Sequence, residues 1–538
     1  MKKLLLSFAA ACVVTAASAA VADLTKVWEK PVENAYKADA KAWNAPVAVD
    51  AAGNVIATGA FTEDLTIAGS TFEATGTSAY VVKYDKTGAA AWAVAFTGAA
   101  TITAIDTDAD GNIYIAGTFA DAVTFGTTSG TPIVKEGMKI DDAFTTKQNA
   151  SFIAKYSSAG TLATVETFVP EVHAEPLEHQ FDDPDTGGTP YWFSDGDIYF
   201  ELKDLKVVDD QVYASATYTG LTKNNNIEFS APYVVYAFFM YQDVAASSVF
   251  TLNASDLKVQ QKVVTASYSG ENASGVFDTS ACWSVRFDVK ENVVLAAFVA
   301  SGEISLTDAK GSQAVNEESA PAFILAKVQN GEIITKNTIA ATSSMTVADN
   351  SFANISFNGN KAIAVGRKFE TETIEGSSDE KKHYNIFVAN VSDDLALDFN
   401  KFEESAVGIN YYTIASTAIL PVGEVYINTL GYDNKGDFAN TAKSFVFAND
   451  AFAPATTVAD AVGVAAAGTY VAFSQIGETG AVFSLYNDSK ATGIADIVAD
   501  ENAEAEYFNL QGVRVANPEN GLYIVRRGNT VTKQLLRK

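Results

Sequence analysis

From Val47 to about Tyr486 the chain runs in short stretches where apolar and small polar residues alternate, each bounded by Asp, Asn and Gly. A period of two places alternate side chains on opposite faces of an extended strand, and no comparable stretch shows the 3.6-residue spacing of a helix. Two of these stretches copy one another. "DTDADGNIYIAGTF", residues 106 to 119, follows "DAAGNVIATGAF", residues 50 to 61, so that Asp108, Gly111, Asn112, Gly117 and Phe119 pair without a gap with Asp50, Gly53, Asn54, Gly59 and Phe61. Asp and Asn bond the local backbone in turns and Gly takes positive φ, so each copy predicts a turn between two strands.

A second shared element follows each turn. "SAYVVKYDKTGAAAW", residues 78 to 92, matches "ASFIAKYSSAG", residues 150 to 160, pairing Lys83-Tyr84 with Lys155-Tyr156. Each unit thus predicts strand, turn, strand, hairpin, a strand ending in Lys-Tyr, a Gly turn and a last strand, which is the unit of a β-propeller blade. Fainter copies place Asp288 to Asn292 in the turn, Lys327 and Asn390 in the lysine place, and "GEVYINTLGY" with "KSFVFAND" in a further unit. The third unit is read from "DDQVYASATYTG" and "VVYAFFMYQD". The last, "GTYVAFSQ" with "GAVFSLYNDSKATG", lacks its outer strand. "TKVWEKPV", residues 25 to 32, resembles "AAAWAVAF" with Trp28 in the place of Trp92, and an N-terminal strand that completes the last blade leaves no open edge. The expected fold is all-β: a propeller over residues 23 to 493, seven-bladed, or six-bladed if the short last unit merges with its neighbour.

The pattern Asp-x-x-Gly-Asn, then aromatic-x-x-Lys, resembles the short β-propeller repeats of bacterial secreted proteins, clearly over residues 47 to 168 and faintly to about 490. That resemblance implies a fold and carries no catalytic residues. After the acidic, Ala-rich "ADIVADENAEAE", the segment "YFNLQGVRVANPENGLYIVRRGNTVTKQLLRK" alternates through three short strands. With "NLQG", "NGLYIV" and a basic last strand it resembles the C-terminal sorting domain of type IX secretion substrates, which implies an address or attachment role for residues 494 to 538. Without the resemblance it reads as a small β cap.

Composition changes the picture in three ways. "MKKLLLSFAAACVVTAASA" has the lysines, apolar core and A-x-A site of a secretory signal peptide over residues 1 to 19, so the mature chain is expected outside the cell or on its surface. No later stretch is long and apolar enough to span a membrane. The net charge of −28 becomes −30 once Lys2 and Lys3 leave with the signal, a field that disfavours nucleic acid as a partner. One cysteine, Cys282, then remains, so no internal disulfide is available and the thiol reads as a small buried residue. A monomer is expected.

Candidate chemistry is sparse. Asp106, Asp108 and Asp110 occupy the first, third and fifth places of a calcium loop, but Tyr114 and Gly117 stand where closing ligands belong, so a turn with at most weak calcium binding and no other cofactor is expected. The insertion "EVHAEPLEHQFDDPDTGGTPYWFSDGD", residues 171 to 197, carries His173 and His179 at a spacing that fits no zinc motif. It also holds Tyr191, Trp192 and Phe193 beside Asp195 and Asp197, aromatic faces and carboxylates of the kind that stack on and bond to a sugar ring or a protein surface. No nucleophile elbow, metalloprotease motif or phosphate loop is present, and His383 sits in a charged hairpin. The reading is a secreted or surface propeller that binds a glycan or a protein partner. The alternatives are a hydrolase or lyase using pore carboxylates and a structural part of a surface assembly.

Overall fold

In the computed structural model the described residues are 23–35, 46–137, 148–171, 193–194, 198–208, 211–231, 233–236, 240–269, 281–316, 322–340, 352–358, 361–373, 380–403, 411–420, 422–432, 438–448, 451–490, 505–509, 514–515, 521–527 and 530–536. Every regular element among them is a β-strand. Among the described residues most strands fall into seven consecutive four-stranded antiparallel units, followed by a separate four-stranded sheet near the C-terminus; units 2 and 3 are joined into one ten-stranded sheet by the parallel pairing of Gln148 and Asn149 with Ile198 and Tyr199. The first strands of the units are Val47–Val49, Ala100–Thr107, Ile198–Val208, Ala281–Lys290, Phe352–Asn358, Tyr411–Ile419 and Ala461–Ala467. Each lies against the first strand of the next unit, and Ala461–Ala467 lies against Val47–Val49, so the seven close into a ring. The chain is a β-propeller.

The ring is closed by the strand Leu24–Glu33, which pairs antiparallel with Gly480–Asp488 and supplies the outer strand of unit 7. Trp28 pairs with Leu485 and is 7% exposed. Its indole packs 5.3 Å from the ring of Tyr84 in unit 1, and a Cβ on Gly88 would come within 2.8 Å of it. Trp92 repeats this at the next junction, 6.4 Å from Tyr156, with a Cβ on Gly160 2.6 Å from the indole. The two glycines have φ of +80° and +81°. Each is therefore glycine for two reasons, a left-handed turn and the indole that lies on it. The resemblance of "TKVWEKPV" to "AAAWAVAF" is a shared packing role.

Hairpins between second and third strands reach backward over the seams. Ala122–Phe125 of unit 2 pairs with Ala90–Thr97, the outer strand of unit 1, and Ile304–Asp308 of unit 4 pairs with Val259–Tyr268, the outer strand of unit 3. These additions cover strand edges that would otherwise pair with other chains.

Three details differ from the sequence reading. In unit 3 the third strand is Ala246–Asn253, not the segment from Val234. Tyr233–Tyr236 and Met240–Asp243 form a separate small sheet with Phe193–Ser194, whereas "ASSVFTLN" is buried over all but its last residue and takes the core place. Asp288 does not start the turn of unit 4: the hairpin turns at Glu291-Asn292, both at positive φ, and Asp288 takes the place of Asp106. Near the C-terminus four strands form, Ala505–Phe508, Arg514–Val515, Gly521–Arg527 and Thr530–Leu536, where three were expected.

Replacing Trp28 with Ala removes the aromatic that seats the closing strand on unit 1. The loss expected in chemical denaturation is about 3 to 5 kcal/mol, the range for a large core aromatic, against little change for the exposed neighbour Val27→Ala.

Candidate functional site

The polar residues of the repeat are consumed by the framework. In the first turn the Asp50 carboxylate accepts the backbone N–H groups of Ala52 and Asn54 and the Asn54 side-chain amide. Asp108 does the same with Asp110, Asn112 and the Asn112 amide, and also receives the Tyr114 hydroxyl at 3.2 Å. Of the calcium candidates, then, Asp108 has both oxygens bound within its own turn, and Asp110 is exposed. Asp106 lies inside the ring, where its carboxylate accepts the N–H of Thr107 at 2.9 Å and that of Val207 in unit 3 at 2.7 Å. Among the described residues no three His, Cys, Asp or Glu side chains gather as a metal ion requires.

The repeat lysine has an equally definite task. Lys83 donates to the carbonyl of Ser158 at 3.2 Å, Lys155 to that of Ala254 at 3.0 Å and Lys327 to that of Asp393 at 3.2 Å. Each acceptor is in the last turn of the following unit. Trp92 Nε1 donates to the same Ser158 carbonyl at 3.1 Å. The Lys-Tyr element is a seam bolt, with the ammonium holding the turn and the ring filling beneath it.

Strand register identifies a charged layer of the inner ring. The first-strand residues aligned with the repeat lysine are Ala48, Asp106, Lys206, Asp288, Ser356, Ala418 and the alanine run Ala465–Ala467. Units 2, 3 and 4 therefore present acid, base, acid, and the other four present small side chains. Lys206 Nζ is 3.8 Å from Asp288 Oδ1. Asp288 repeats the clamp of Asp106, accepting the N–H of Val289 at 2.9 Å and that of Phe357 in unit 5 at 2.8 Å. Two residues earlier on the strands stand Asp204 and Arg286. Arg286 bridges three units, donating to the carbonyls of Lys203 in unit 3 at 2.9 Å and Ala353 in unit 5 at 3.1 Å.

Burial sets the electrostatics of this arc. It pushes Asp106 above its ordinary value, with Lys206 acting in the opposite sense. Burial likewise raises Asp204, against the pull of Lys206 and Arg286. For Lys206, burial alone would favour the neutral amine, but Asp288, Asp204 and Asp106 outweigh it and the ammonium is held above its usual range. Asp204, Arg286 and Lys206 were missed in the sequence. The signal available was a charged residue a few places before the turn in "DLKVVDD", "AIDTDADGN" and "RFDVKENV".

The aromatic candidates fall mostly elsewhere. Tyr191, Trp192, Asp195 and Asp197 lie outside the described residues, as do His173 and His179. Phe193 opens the short strand Phe193–Ser194, which pairs in parallel with Met240 and Tyr241. His383 pairs with Glu370 along the long hairpin of unit 5. Cys282 is fully buried, and burial pushes its thiol up to about 12, so it is no nucleophile. A cavity between units 6 and 7, lined by Leu24, Leu420, Tyr426, Val446 and Ala455, contains no carboxylate.

Because burial raises Asp204, its ionised form opposes folding. That penalty is full above the raised pKa and fades as pH falls through it towards the ordinary aspartate value of about 4. Asp204→Asn keeps the acceptor for Leu205 N–H, so it should raise the melting temperature at pH 7 by about a degree or two, with the gain shrinking at pH 4. Asp108→Ala removes four hydrogen bonds to one carboxylate. It should lower stability by about 1 to 3 kcal/mol equally with and without millimolar calcium; a calcium-dependent difference in melting temperature would restore this turn as a cation site.

No protein-family model matches the chain, and no curated protein matches it in sequence. Solved structures similar to it at very low identity include β-propeller domains. The Swd1 β-propeller domain from Myceliophteria thermophila is 10% identical over 82% of this chain and 99% of that one, with a TM-score of 0.36. The β-propeller domain of the trilobed protease from Pyrococcus furiosus is 8% identical over 83% and 94%, with a TM-score of 0.35. The polysaccharide lyase Uly1 is 9% identical over 85% and 92%, with a TM-score of 0.36.

Proposed function

We propose that this chain is an exported β-propeller that binds rather than catalyses, engaging a glycan or a protein at the cell surface through the insertion at residues 171 to 197. The observation that carries the reading is the commitment of two inner-strand carboxylates, Asp106 and Asp288, to backbone N–H groups. Asp106 and Asp288 each hold the backbone of the following unit, and Lys206 stands beside them as counter-charge. General acid–base chemistry needs a carboxyl whose oxygens are available to substrate, and these are engaged in joining strands. Export is supported by the signal-like residues 1 to 19. The basic last strand of residues 504 to 538 supports an attachment role for the C-terminal sheet.

Within the insertion Trp192 is the proposed anchor, flanked by Tyr191 and Phe193, with Asp195 and Asp197 as acceptors for hydroxyl or amine groups. A large aromatic face buries area at little entropic cost, which is why such residues dominate binding hot spots. Support comes from the strand Phe193–Ser194, which ties the end of the insertion to a second insertion in unit 3.

The test is a screen of glycans and surface proteins with the wild type, repeated with Trp192→Ala. The expected loss is about 2 kcal/mol or more of binding energy, with an unchanged melting temperature. A ligand whose affinity ignores Trp192 and survives replacement of the insertion puts the binding surface elsewhere, and turnover abolished by Asp106→Asn or Asp288→Asn would make the protein an enzyme.

A further inference from the structure

Away from the channel, one carboxylate gathers a lysine and an asparagine. Glu166, on the outer strand of unit 2, is 9% exposed, and Asn224, at the end of a hairpin strand in unit 3, is 3% exposed. Lys258 Nζ lies 2.6 Å from Glu166 Oε1 and 2.7 Å from Oε2. Asn224 Nδ2 donates to the same Oε1 at 2.6 Å. Two 2.6 Å bonds to one oxygen keep the lysine and asparagine nitrogens within 5.2 Å of each other. The other end of the Asn224 amide is also held, because its Oδ1 accepts the backbone N–H of Val259 at 2.9 Å.

A salt bridge needs only the lysine and the glutamate. The asparagine adds further parts of an acyl transfer: a carbonyl polarised by a fixed N–H donor, a leaving nitrogen hydrogen-bonded to a carboxylate, and an amine on the same carboxylate oxygen, its side chain half-exposed. We propose that Lys258 and Asn224 are a site of self-catalysed isopeptide cross-linking, with Glu166 as the proton carrier.

The chemistry balances without any outside reagent. Glu166 accepts a proton from the Lys258 ammonium, freeing the lone pair on Nζ. Nζ attacks Cγ of Asn224, and the charge that develops on Oδ1 is met by the Val259 N–H. Glu166 then delivers its proton to Nδ2, the Cγ–Nδ2 bond breaks, and ammonia leaves. The amine's second proton passes through the same carboxylate and is lost to solvent or to the ammonia. One amide replaces another, and nothing is oxidised or reduced. The linkage closes the chain between residues 224 and 258 and ties the hairpin of unit 3 to its last turn. It gives a chain whose described residues hold one buried cysteine the loop constraint that a disulfide supplies elsewhere.

The test is mass spectrometry of the purified full chain, intact and after proteolysis. The expected result is a mass about 17 Da below that of the sequence, the loss of one ammonia, carried by a branched peptide that joins the segment holding Asn224 to the one holding Lys258. Lys258→Arg keeps a cation beside Glu166 and should restore the full mass, as should Glu166→Gln. Separate, unlinked peptides from the wild type overturn the proposal. So does the same deficit confined to the peptide holding Asn224, which marks ring closure of that asparagine on its own backbone. A link that still forms in Glu166→Gln overturns the role given to the glutamate.

Discussion

A sheet that radiates from an axis has two edges, and a ring of such sheets holds only if its first and last members are joined by more than a peptide bond. Here that join is the antiparallel ladder between Leu24–Glu33 and Gly480–Asp488, which puts residues from the two ends of the propeller in one sheet. The strand carries only two buried side chains, Trp28 and Val32, so its backbone hydrogen bonds and one indole supply most of the closure. Everything in the channel depends on it, because the inner strands face each other only while the circle is shut.

Given closure, the other seams are held by the same parts used again. The repeat lysine reaches forward to a carbonyl in the next unit, the Trp of the outer strand lies on the next unit's Tyr and Gly, and the turn Asp keeps its own loop folded. Where the lysine is replaced, other bonds take over. Unit 5 has Asn390 in that place, and its seam to unit 6 is crossed by Asn354 Nδ2 donating to Thr417 Oγ1 at 2.7 Å. The charged arc of Asp106, Lys206, Asp288 and Arg286 does this work for units 2 to 5. These charges are half-buried, so the cost of drawing them out of water offsets much of their attraction. The arc is therefore better suited to fixing which strand lies beside which than to adding stability.

These assignments narrow where a function can sit. Asp106 and Asp288 are spent on neighbouring N–H groups, and the proposed binding role therefore looks to the insertions around Phe193 and Met240. The Glu166, Asn224 and Lys258 group shows a second use of the same economy. A junction of three segments is held by one carboxylate, and it sits where chemistry between the other two side chains would make the junction permanent.

The sequence by itself determined the local unit. Alternation, the Asp-x-x-Gly-Asn turn, the Lys-Tyr strand end and the Trp of the outer strand are all set by contacts within a few residues or by one repeat's spacing, so they recur in the chain as readable copies, and even Trp28 betrays its place by likeness to Trp92. Tertiary structure alone decided which charges meet. Asp106 and Val207 are 101 residues apart, and Glu166 and Lys258 are 92 apart. Nothing in the spacing of such pairs is periodic, because their encounter follows from the stagger of neighbouring units around a closed ring. The third strand of unit 3 was misread for a related reason. Two adjacent stretches both carry strand-like residues, and only the space left between Gln211–Tyr218 and Val259–Tyr268 selects Ala246–Asn253 to fill it.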